Sequence, residues 1–143
     1  MPRSSGKRNT SDESGRAPKE GPRLLPQPEL RLILCTAPLT PPGTPSRIAR
    51  LLVEKKLAAC VNILPSVQSV YVWEGKLQNE NEALLIIKTS SRRCRACAQM
   101  LREEHPYDVP EIVVIGPEAV NEPYWLWVQG CVDSAELKME DGI

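Results

Sequence analysis

The chain has 143 residues, with 18 Lys+Arg against 18 Asp+Glu and no phenylalanine. That length accommodates one domain with a core and not two, and the even charge balance gives no global field toward nucleic acid or an anionic membrane surface. The longest apolar runs, such as Ala83 to Ile87, fall far short of the roughly 20 residues that a membrane span needs.

Residues 1–29 carry Pro2, Pro18, Pro22, Pro26 and Pro28 and almost nothing apolar before Leu24. Such a segment cannot bury enough surface to offset its ordering entropy, so it is expected to be a disordered tail, with the domain spanning 30–143. No apolar stretch follows the basic residues at the N-terminus, so no secretory leader is expected. The five cysteines are then expected to be reduced thiols in the cytoplasm.

The run LRLILCT, 30–36, suits a buried strand. PLTPPGTP, 38–45, breaks structure and ends in Thr44, expected as an N-cap, followed by Pro45 at the first helical position. Ile48, Leu51 and Leu52 mark an amphipathic helix, with Lys55 and Lys56 near its end. Residues 59–64 read as a strand, interrupted by Pro65 and continued over 67–73 by β-branched and aromatic residues. Glu74-Gly75-Lys76 predicts a turn, and 84–89 the returning strand. Residues 91–104 predict a second helix with Cys94, Cys97 and Leu101 on one face, stopped by Pro106. A strand over 112–115 and a short helix over 121–129 complete the chain. The order is β-α-β-β-α-β with a terminal helix, an α+β class of ferredoxin-like pattern.

Six stretches, LCTAP (34–38), EKKLAACVNILP (54–65), YVWEGKL (71–77), IIKT (86–89), HPYDVPEI (105–112) and YWLWV (124–128), follow one another in the order of a known family. Over about Leu30 to Gly130 the chain resembles the CutA divalent-cation-tolerance family. The resemblance implies a ferredoxin-like fold assembled into a tight homotrimer, a link to copper tolerance with metal binding, and, in animal members, trafficking and placement of a partner protein. A hairpin as long as 59–89 adds a physical reason for self-association, since its exposed edges need partners.

The resemblance points to Cys35 and His105 as copper ligands. A thiolate with an imidazole is a plausible soft pair for Cu(I), and one more ligand would improve it. The position before the histidine, often a second histidine in bacterial relatives, is here Glu104, which would harden the site. The competing reading makes Cys35 an ordinary buried strand residue and His105 a helix-terminal residue bonded to backbone. Tyr71, Trp73, Glu74, Tyr107 and Trp127 are candidates for a subunit interface or groove. Lys88, on a central strand, is expected to pair with a neighbouring chain. Cys60, among small neighbours, is expected in the core. Cys94-Arg95-Ala96-Cys97 is a lone CxxC near a helix start, where flanking Arg92, Arg93 and Arg95 would lower a thiol pKa. It lacks the second pair of a structural zinc site, so Cys97 is expected on the core face and Cys94 partly exposed. One histidine, no glycine-rich phosphate loop and no HExxH leave no enzyme motif. Two rival readings accompany the metal reading. One is a metal-independent trimeric scaffold; the other is a small-ligand sensor like the PII transducers, which calls for a long loop between the central strands.

Overall fold

The computed structural model describes Gly21 and residues 23–133, so most of the expected tail and residues 134–143 lie outside the described residues. The elements are β1 (Leu24–Pro26), β2 (Leu30–Pro38), α1 (Thr44–Glu54), β3 (Cys60–Trp73), β4 (Lys76–Ser90), α2 (Ser91–Glu104), β5 (Val113–Ile115), β6 (Ala119–Asn121) and α3 (Glu122–Val132). From β2 to β5 the expected β-α-β-β-α-β order holds. The strands form an antiparallel sheet in the order β3-β4-β2-β5, a mixed α+β fold of the split βαβ kind.

Alternation along the central strands sets the layers. Ile33, Cys35 and Ala37 of β2, with Leu85 and Ile87 of β4, are sealed against Ile48 and Leu52 of α1 and Cys97 and Leu101 of α2. Leu32, Leu34, Leu84 and Ile86, one step out of phase, face the other side and stay only partly buried. A second cluster, of Leu30, Ala59, Trp125, Val128 and Val132, packs α3 over one end of the structure. Asp133 fixes the end of that helix by accepting a 2.8 Å bond from the Ser90 hydroxyl.

Three expectations need correction. Order begins before Leu30: β1 pairs antiparallel with β6, Leu24 opposite Asn121 and Pro26 opposite Ala119. The Gln27 amide extends this ladder to the Glu118 carbonyl at 2.7 Å, and Leu25 and Val120 pack on the α3 cluster. Thr44 is not the N-cap of α1. Gly43, at φ 86°, takes that position, and the Thr44 hydroxyl bonds the Pro41 carbonyl at 2.7 Å instead. Finally, Lys76 belongs to β4, because the hairpin closes through Glu74 and Gly75 alone, at φ 51° and 76°. A two-residue turn with both positions left-handed matches the twist of its strands.

That hairpin is longer than the sheet it belongs to. β2 covers β4 only from Glu82 to Ser90. Beyond Glu82, among the described residues, the two strands pair only with each other, from Val67 opposite Glu82 to Trp73 opposite Lys76. The register shifts between Leu64 and Val67, at Pro65, which has no N–H to give the ladder.

Candidate functional site

Cys35 sits near the end of β2, and His105 caps the C-terminus of α2. The structure brings them to one atom. The Thr36 carbonyl accepts from His105 Nε2 at 2.7 Å and from Cys35 Sγ at 3.5 Å. His105 Nδ1 accepts from the Tyr107 amide at 3.1 Å, which fixes the ring as donor at Nε2 and acceptor at Nδ1. His105 is 6% exposed and Cys35 fully buried. Burial first, then the Glu111 and Glu82 carboxylates, pushes the Cys35 thiol up to about 12, so the sulfur keeps its proton at neutral pH.

This arrangement joins the first core strand to the end of the second helix. A metal ion here would have to displace the Cys35 proton and break one of the two His105 bonds. Glu104 is committed elsewhere: Arg47 Nη1 holds its carboxylate at 3.0 Å and Arg47 Nη2 its carbonyl at 3.3 Å, tying α1 to α2. Among the described residues, no group of three or more His, Cys, Asp or Glu is gathered to hold a metal ion. A shallow groove of ≈ 400 Å³ between α1 and β3 is lined by Ala49, Arg50, Val53, Glu54 and Val61, none of them nominated by the sequence.

The row continues from His105 toward the projecting hairpin. The His105 and Tyr107 rings lie 4.8 Å apart, and the Tyr107 hydroxyl donates to Glu82 at 3.3 Å. Glu82 is 5% exposed, a buried carboxylate that needs such a donor. Burial and the neighbouring Glu82 and Glu80 push the Tyr107 phenol up to about 12. Tyr71 is raised in the same direction, chiefly by its hydrogen bond to Glu80. Sequence reasoning nominated Tyr71 and Tyr107 but missed Glu80 and Glu82. The available signal was their two-residue spacing, which places both on one side of β4.

Trp73 and Glu74 stand exposed at the hairpin end. Trp127 packs on the α3 cluster, 5.8 Å from the Tyr124 ring. Lys88 is partly buried, with Nζ 3.9 Å from Cys60 Sγ. Cys60 is therefore not in the core: it lies one step out of phase with Val61, on the face opposite α1 and α2, and also receives Asn62 Nδ2 at 4.0 Å. In the CxxC, Cys97 is fully buried and pushed up to about 12, by burial first and then by the neighbouring Cys94 and Cys35 thiols. Cys94 is raised by burial, with only Arg31 opposing. The flanking arginines do not activate it, because the thiol turns inward.

Residues 32–131 match the family described as CutA1 divalent ion tolerance protein. The chain belongs to the CutA1 family. It is 49% identical to "Protein CutA homolog" of Xenopus laevis over 81 residues, covering 57% of this chain and 54% of that one. It is 39% identical to "Divalent-cation tolerance protein CutA" of Pectobacterium atrosepticum over 97 residues, covering 68% of this chain and 86% of that one. Among solved structures, CutA from Synechococcus elongatus PCC7942 superposes with a TM-score of 0.71 at 34% identity, over 76% of this chain and 95% of that one. The match spans about half the length of the vertebrate CutA relatives. The CutA1 match takes in β2 through most of α3, and so every residue nominated above.

Proposed function

We propose that this chain is a non-enzymatic, trimeric divalent-cation-tolerance protein acting in metal homeostasis, with copper as the cargo of Cys35 and His105. The projecting hairpin carries the trimer. Val70, Val72, Trp73 and Leu77 are exposed along it, Leu77 to 74%, and no other strand of the described chain flanks it. The edge strand β5 likewise exposes Val113, Val114 and Ile115. A ribbon and an open edge on the same chain suit pairing between copies. The meeting of Cys35 and His105 at the Thr36 carbonyl supports the copper pair, and a relative bears the name divalent-cation tolerance protein. Cytoplasmic placement belongs to the same proposal; no helix among the described residues is long and apolar enough to cross a membrane.

A second reading, a metal-independent trimeric scaffold for a partner protein, is favoured by one observation: both His105 ring nitrogens already have backbone partners. A PII-like sensor calls for a long loop at this hairpin, and Glu74 and Gly75 close it in two residues instead.

Native mass spectra of the reduced protein, with and without Cu(I), test these readings beside a Cys35→Ser/His105→Ala variant. The expected result is a trimer that gains one copper per chain, with no gain in the variant. A trimer that takes up no copper, or a variant that takes up as much, overturns the ligand pair and leaves the scaffold. A monomer overturns both.

A further inference from the structure

Cys60 and Cys131 lie outside the row just described, and the fold brings them into one neighbourhood. Cys60 and Lys88 are register partners across β3 and β4, which puts both side chains on one face of the sheet. The hydroxyl of Ser90, two residues beyond Lys88, holds Asp133 at 2.8 Å. That bond brings the last turn of α3 over the same stretch of β4. Cys131, two residues before Asp133, packs on the cluster that contains Ala59, the residue preceding Cys60. Both thiols are partly buried, unlike Cys35 and Cys97, which are fully enclosed. Lys88 Nζ and Asn62 Nδ2 point donors at Cys60 Sγ from 3.9 and 4.0 Å.

We infer that Cys60 and Cys131 form a peroxide-sensitive thiol pair that closes into an intramolecular disulfide joining β3 to α3. The Cys60 thiolate attacks one oxygen of hydrogen peroxide; the O–O bond breaks, hydroxide leaves, and Cys60 becomes a sulfenic acid. The Cys131 sulfur then attacks the Cys60 sulfur. An S–S bond forms, the S–O bond breaks, and the departing hydroxide takes the Cys131 proton. In total two thiols give up two electrons and two protons, and peroxide becomes two waters. Electrostatics agree with the proximity: Cys131 is raised by burial and then by the charge of Cys60, and Tyr124, one heptad before Cys131 on α3, responds to both thiols. With the Lys88 and Asn62 donors aimed at its sulfur, Cys60 is the attacking partner and Cys131 the resolving one.

The test treats the reduced full chain with hydrogen peroxide, alkylates the remaining thiols and maps the peptides, beside Cys131→Ser and Cys131→Val variants. Valine keeps the apolar packing on α3 should serine disturb it. The expected wild-type product is lighter by two hydrogen atoms per chain, carries a linked Cys60–Cys131 peptide, and reverts with dithiothreitol. Both variants should leave Cys60 alkylatable or carrying added oxygen, with no internal link. The pair is overturned if both cysteines stay alkylatable at a dose that oxidises free glutathione. It is equally overturned if the disulfide that forms joins Cys94 to Cys97, or joins two chains.

Discussion

Along β4, Ala83, Leu85 and Ile87 are sealed between the sheet and its helices, whereas Leu77, earlier in the same strand, is 74% exposed. Apolar residues occur in both halves. What differs is the company each half keeps: β2 flanks the strand only from Glu82 onward, and α1 and α2 cover that part alone. An apolar residue in a strand thus specifies burial only where a second layer reaches it. The half from Glu82 onward is a core, and the half before it is an exposed apolar surface.

Truncation separates the two halves most strongly. Leu85→Ala, which hollows the sealed part, should cost about 2–5 kcal/mol in urea unfolding. Leu77→Ala should change subunit stability by no more than about 0.5 kcal/mol while weakening self-association in sedimentation at dilution. Equal losses of subunit stability would erase the distinction.

Alkaline pH sharpens it next. In the fold, burial raises Cys35 and Cys97 from 9.0 to about 12. The unfolded chain therefore releases those protons first as pH rises past 9, and stability falls from there toward 12. Below that window both states hold the protons and the slope vanishes. Urea midpoints at about pH 8 and about pH 10.5 should differ in the wild type and differ less in Cys35→Ala/Cys97→Ala. An unchanged slope in the variant would show that the sealed thiols do not set it.

The smallest effect belongs to the rim of the sealed half. Arg47→Ala removes the ion pair with Glu104, both partners substantially exposed. It should lower stability by about 0.2–1 kcal/mol, less at high salt. A larger, salt-insensitive loss would make the α1–α2 tie a structural clamp.

The sealed half was also the legible half. β2, β4 and the two helices announce themselves through alternation, helical spacing and Pro106, because each buries one face against another element. The strands β1 and β6 escaped notice since each spans three residues and β1 sits in a proline-rich stretch. Their pairing is long-range and leaves little local trace. Cys60 was misplaced because Ala58 and Ala59 suggest a core, while strand parity opposite Val61 turns it away. The Cys35 and His105 pair was legible as residues but not as geometry. Thr36 supplies a backbone carbonyl, and no side-chain pattern advertises which carbonyl a histidine will find. Glu82 was passed over in NENEA, where a charged run reads as solvated surface until β2 and Tyr107 are laid beside it.

The sheet order also dictates a timetable. Within the four-stranded sheet, β3 and β4 are joined by a tight turn, whereas β2, the first of its strands to be made, needs Ser90 opposite Leu30 and Val113 opposite Leu34 before either edge is satisfied. Closure of such distant pairs is slow compared with a hairpin. On a growing chain, LRLILCT therefore waits with both edges unpaired until most of the domain has been synthesised. An inner strand of the finished sheet is thus the one left longest open to capture by another chain while the protein is being made.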